Sequence, residues 1–218
     1  MTRCLDIHTH HLAPQPLGVI STSIHDFNPV DGQLYSVGIH PWTTADSSPT
    51  LDDWQKLETI AALPCVVAIG ECGIDKIKGG HMYKQVNVMN RQIQISEKLG
   101  KPLIVHDVKA HDIIVGLRRD LEPKQNWLVH GFRAKPTVAK MLTDAGIYLS
   151  IGQQFNPASF ASIPRDMLLA ETDESPLSIE EIIAAIAREI EGPSEEDLKK
   201  TTELILENTH FFLYKTKL

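Results

Sequence analysis

The stretch Asp6-Ile7-His8-Thr9-His10 decides how the rest of the chain is read. It follows the apolar pair Cys4-Leu5 and precedes Pro14 and Pro16, the pattern of a strand running out into a loop. Residues two apart on a strand face the same way, so His8 and His10 stand side by side, roughly 6 to 7 Å apart. Two imidazoles on one face supply half of a metal site, although an isolated His-x-His is more often a strand carrying incidental histidines. The other half must come from elsewhere in the chain.

Working outward, eight strand-like runs recur: Arg3 to His8, Gly18 to Ile24, Leu34 to Ile39, Cys65 to Gly70, Pro102 to His106, Asn126 to His130, Ile147 to Ile151 and Met167 to Ala170. Most are continuously apolar, the mark of parallel strands covered on both faces. Helix-like segments separate the later runs, at Leu51 to Leu63, His81 to Leu99, Val108 to Leu121, Lys135 to Ala145 and Ser178 to Glu191. This alternation predicts an α/β fold, a compact TIM-type (β/α)8 barrel. The first two βα units lack full helices, because His11 to Leu17 and Asp26 to Gln33 are short and rich in Pro, Asn, Asp and Gly. A last helix begins at Ser194 and reaches about Asn208, with Phe211 to Tyr214 anchoring it across the barrel. No linker interrupts the pattern, so residues 1–218 read as a single domain.

In such a barrel the functional groups gather at the C-terminal ends of the strands. Those ends carry His8 and His10, then His40, Glu71, His106 and His130, and the eighth strand runs into Glu171-Thr172-Asp173. Alone, each has an ordinary explanation as a hydrogen-bonded residue or a turn. Together, so many ionisable groups are costly to bury without a cation, and the donor set suits Zn²⁺, Mn²⁺ or Mg²⁺ in a site of one or two metals. His11, His25, His81, His111 and His210 read as structural or solvated, and Asp107 points to the face opposite His106.

The formal charge of -7, with no run of like charges, excludes a basic nucleic-acid tail or a polybasic membrane patch. Three cysteines without Cys-x-x-Cys spacing point to reduced thiols and a cytoplasmic setting. Neither an export signal nor an apolar stretch long enough to span a membrane is visible, and no stable protein partner is inferred.

The motifs Asp6-Ile7-His8-Thr9-His10, Gly38-Ile39-His40-Pro41, Ala68 to Asp75, Pro102 to His106, His130-Gly131-Phe132 and Leu168 to Asp173 resemble, in order, those of the TatD family of metal-dependent hydrolases. Asn208-Thr209 and the aromatics after it resemble the family's ending. The resemblance implies an amidohydrolase-type barrel with deoxyribonuclease or related phosphodiesterase activity. It implies that His8, His10, Glu71 and Asp173 hold one metal and Glu71, His106 and His130 a second. His40 would lie near the substrate phosphate, and Asp75 would support the Glu71 loop.

Two positions depart from the family pattern. Val108, with Lys109 beside it, stands where an Arg is common two residues after the fifth-strand His, and His130-Gly131-Phe132-Arg133-Ala134-Lys135 replaces His-Cys-Phe-Ser-Gly. Arg133 and Lys135 are the nearest replacements for a phosphate clamp, and equally suit a solvated helix start before Pro136. Asp173 is the candidate general base, with His40 or Arg133 stabilising charge on the phosphate. An acidic chain without an obvious stacking platform or basic track favours a short or single-stranded DNA end, or a small phosphodiester, over long duplex. Cleavage would then be exonuclease-like. An amidohydrolase acting on a small amide or lactone is the first alternative, since the same ligand layout supports carbonyl attack; a non-catalytic metal-binding scaffold is the second.

Overall fold

The computed structural model describes residues 4–12 and 18–218. Arg3, at the start of the first expected strand, and Pro14 and Pro16 lie outside them. The strands are β1 (Asp6–Thr9), β2 (Gly18–Ser23), β3 (Leu34–Gly38), β4 (Val66–Asp75), β5 (Leu103–Val108), β6 (Trp127–Val129), β7 (Ile147–Ile151) and β8 (Leu168–Ala170). They follow one another in chain order and close into a barrel, and the described pairings are parallel. The helices are α1 (Leu51–Ala61), α2 (Met82–Leu99), α3 (His111–Leu121), α4 (Pro136–Asp144), α5 (Ile179–Ile190) and α6 (Glu195–Tyr214). Contacts divide the chain into two compact units, one of residues 1–20 and 130–218, the other of residues 21–129.

In the unit of residues 21–129, β3, β4, β5 and β6 pair in sequence, and their apolar residues, such as Val37, Ile69, Leu103 and Leu128, are buried. Thr50 starts α1 through a capping box with Asp53, and Gly100 ends α2 in the left-handed conformation. Residues 24–33 contain turns and no helix, as the composition implies, whereas a 3-10 turn, Pro41–Ala45, and α1 fill the next connection. β4 is longer than the apolar run suggests and ends at Asp75. Within it Ile69 pairs with Leu103 but Cys72 with Val105, so three steps on β4 match two on β5. The extra residue makes a bulge at Gly70-Glu71, a device that re-aims a side chain. Beyond it Gly73, at φ 142°, lies so close to β5 that a Cβ would collide with the His106 carbonyl oxygen.

In the unit of residues 1–20 and 130–218, β1 pairs with β2 and β8, and β7 with β8. Short 3-10 turns, Pro157–Ser162 and Arg165–Met167, replace a helix between β7 and β8. Capping boxes of Ser178 with Glu181 and Ser194 with Asp197 start α5 and α6. α6 outruns the expected end near Asn208, because the aromatics are helical: Phe212 and Leu213 are buried while Phe211 and Tyr214 face outward. Asn208 donates to the carbonyls of Arg165 (2.7 Å) and Leu168 (2.8 Å), tying α6 to the start of β8.

Candidate metal centre

In the first of these units, His8 lies within β1, fully buried, and His10 just beyond it. Their rings meet edge to face with centroids 5.2 Å apart, and the His8 ring lies 4.2 Å from that of His130, which follows β6. Asp173 presents Oδ1 to both β1 histidines, 3.7 Å from His8 Nε2 and 3.6 Å from His10 Nε2. His8, His130 and Asp173 each offer a ligand atom within 4.8 Å of the others. Two imidazoles and a carboxylate at that spacing form a donor set suited to a divalent cation.

Two further carboxylates support this set, Glu171 from the motif that contains Asp173 and Asp6 from the motif that contains His8 and His10. Glu171 is buried and accepts from the Gly131 N–H (2.5 Å) and the Ser150 hydroxyl (2.5 Å), with Oε1 3.8 Å from His130 Nδ1. It fixes the backbone on which His130 stands. Asp6 is also buried and accepts from the Thr172 N–H (3.0 Å), the Thr172 hydroxyl (2.6 Å) and the His8 N–H (3.4 Å). Burial pushes the Asp6 carboxyl up to about 7 against the lowering effect of the Thr172 hydrogen bonds. A carboxylate two residues before a strand-end histidine is visible in the sequence, but its burial is not.

In the unit of residues 21–129, the bulge turns Glu71 toward two histidines. Glu71 Oε1 is 2.6 Å from His106 Nδ1 and 3.0 Å from His40 Nε2, and the three residues form a second compact donor set. His40 Nδ1 accepts from the Trp42 N–H (3.2 Å), which places the His40 proton on Nε2, toward Glu71. His106 Nε2 faces Asp75 Oδ2 at 3.2 Å. A carboxylate behind the far nitrogen of a histidine fixes its tautomer and turns the other nitrogen toward a cation.

Asp75 therefore backs His106, whose other nitrogen faces Glu71. Burial works to raise its carboxyl, but the N–H groups of Lys78 and Ile77, the Trp42 indole and His106 outweigh it and hold it at about 2. Asp107, as read from strand alternation, belongs to neither donor set among the described residues. It accepts from the Ala110 N–H (3.0 Å) and pairs with His111 (2.6 Å), which it charges more readily. Arg133 is exposed and donates to Gln154 (2.7 Å), and Lys135 is the exposed residue before α4.

These are the features of a known family. The profile described as TatD related DNase matches residues 27–213. The uncharacterised metal-dependent hydrolase YcfH of Escherichia coli K12 is 32% identical over 154 residues, covering 66% of this chain and 56% of that protein. The 3′-5′ ssDNA/RNA exonuclease TatD of Klebsiella pneumoniae is 28% identical over 149 residues, covering 63% and 56%. The matched regions thus span a little over half the length of these relatives. The crystal structure of YjjV, a TatD homologue from Escherichia coli K12, superposes with a TM-score of 0.82 over 97% of this chain and 98% of that one, at 18% identity, a likeness of fold. The chain belongs to the TatD related DNase family.

Proposed function

We propose that residues 1–218 act as one catalytic domain, a metal-dependent phosphodiesterase that trims the end of a short or single-stranded DNA in the manner of an exonuclease. The observation that carries the reading is the pair of His and carboxylate donor sets at strand ends, His8, His130 and Asp173 in one and His40, Glu71 and His106 in the other. Such mixed nitrogen and oxygen sets fit Mg²⁺, Mn²⁺ or Zn²⁺. By the family resemblance, His8, His10, Glu71 and Asp173 would hold one cation, and Glu71, His106 and His130 a second. Bound cations supply Lewis-acid activation of water and of the phosphate.

The protein's own groups do the rest. Asp173, whose Oδ1 lies 3.7 Å from His8 Nε2 and 3.6 Å from His10 Nε2, is the proposed acceptor of the attacking water's proton. His40, whose Nε2 lies 3.0 Å from Glu71 Oε1, is the proposed donor to a phosphate oxygen at the edge of that set. Arg133 and Lys135 are proposed as outer phosphate contacts, and Arg133 must leave Gln154 to serve as one. Free thiols at Cys4, Cys65 and Cys72 suit a cytoplasmic setting, and no helix among the described residues is long and apolar enough to cross a membrane.

The test sets 3′-labelled single-stranded DNA and a chromogenic phosphodiester against a panel of amides and lactones, with each metal added in turn. Stepwise release of nucleotides from the labelled end is expected. Turnover confined to the carbonyl panel would assign the site to amide or lactone hydrolysis instead.

A further inference from the structure

We propose that Trp42 and Lys78 form a nucleotide seat beside the His40, Glu71 and His106 cluster, with the indole stacking on a base and the ammonium taking a phosphate of the same strand. The inference rests on the phosphodiesterase reading and adds a substrate contact within residues 21–129. Trp42 is 43% exposed, whereas Trp54 and Trp127 are buried at 6% and 0%. It is nonetheless held firmly. Its indole N–H donates to Asp75 Oδ2 at 2.6 Å, and its ring stands edge to face with those of His40 and His106, at centroid distances of 4.7 and 5.9 Å.

A large aromatic ring fixed by its polar edge yet partly exposed offers a base stacking area that requires little further ordering. Lys78 sits over that ring, Nζ 4.3 Å from the centroid, on a loop pinned by the bond from its own N–H to Asp75 Oδ1 (2.9 Å). Among the described residues no carboxylate pairs with the Lys78 ammonium, while its neighbour Lys76 is neutralised by Asp112 at 3.0 Å. In an acidic chain this is a local cation available to an anion. An exposed cation over an aromatic face is a weak contact compared with a stacked base, so an incoming base displaces the lysine side chain, and the ammonium swings to the phosphate next to it.

The test uses a fluorescein-labelled oligothymidylate and an abasic strand of equal length and charge. Both are titrated with the full-length protein in EDTA, so that nothing is cleaved, and followed by anisotropy, with quenching of the indole emission recorded in parallel. The base-bearing strand is expected to bind roughly 10-fold or more tightly and to quench the exposed indole. Trp42→Ala should abolish the difference between strands, and Trp42→Phe, which keeps a stacking face but loses the bond to Asp75, should retain most of it. Lys78→Ala should weaken both strands and lower the salt dependence by about one charge. Equal affinity of the unmodified protein for the two strands, or no binding to either, overturns the proposal. A protein that discriminates between the strands yet cleaves no phosphodiester refutes the proposed activity and leaves the seat standing, whereas one that cleaves without discriminating does the reverse.

Discussion

Asp173 is stitched by its backbone to the strand that carries His8 and His10: its N–H donates to the His8 carbonyl (2.9 Å) and its carbonyl accepts from the His10 N–H (3.1 Å). The residue holds φ 52°, in the left-handed region that Asp and Asn tolerate better than other side chains. Backbone and side chain therefore have separable jobs. Asp173→Asn should preserve the fold, with a melting temperature within a few degrees of the parent, and lower phosphodiester turnover about 100-fold or more through loss of the proton acceptor. Near-normal turnover with metal bound would remove Asp173 from the mechanism.

The close passage of β4 against β5 at Gly73 sets a second expectation. Gly73→Ala places a methyl against the His106 carbonyl at a backbone angle that L-residues avoid. Strain and forced separation of the strands should cost about 2 to 4 kcal/mol, read as a lower urea midpoint. An unchanged midpoint would mean that β4 and β5 can part locally without penalty.

Asp75 acts on the site through His106. Asp75→Asn keeps the size of the side chain but removes the charge behind His106 Nε2. Metal affinity at the Glu71 and His106 side should fall roughly 10- to 100-fold, measured by titration calorimetry on stripped protein. If affinity were unaltered while stability fell, Asp75 would be a loop anchor for Ile77 and Lys78 and nothing more.

Asp6 makes metal-free stability depend on pH. Its carboxyl is raised by burial to about 7 from an ordinary value of 3.8, so the folded state prefers it protonated. The stability this contributes is fully present below pH 3.8 and is lost as pH climbs through about 7, an amplitude on the order of 4 kcal/mol. Chemical denaturation in EDTA from pH 4 to 8 should show that decline, and Asp6→Asn, neutral throughout, should reduce it. Identical slopes for both proteins would place the pH dependence elsewhere.

The strands and the histidines at their ends were legible because a continuous apolar run ending in a polar residue is a local pattern. His8, His10, Glu71, His106, His130 and Asp173 all stand at or just beyond the ends of such runs, and alternation places Asp107 on the opposite face. What periodicity could not convey was the bulge at Gly70-Glu71, since an extra residue in a ladder exists only relative to the neighbouring strand. For the same reason the partners of Asp75 are not legible: its contacts to Trp42 and His106 cross 33 and 31 residues of chain. Glu171 and Asp6 sat in motifs already noticed, but their support roles depend on burial. Trp42 was invisible as a stacking surface because composition counts aromatic residues without saying which ones the fold leaves uncovered.

If the His and carboxylate clusters hold divalent cations that make phosphodiester hydrolysis possible, activity must follow metal occupancy. The most direct measurement strips the protein with chelator, then adds Mg²⁺, Mn²⁺ or Zn²⁺ in increments while bound metal and the release of nucleotides from 3′-labelled single-stranded DNA are followed together. The stripped protein should cleave nothing, and activity should recover in step with occupancy up to two ions per chain. Cleavage that persists without metal, or full occupancy without cleavage of any phosphodiester, would contradict that dependence.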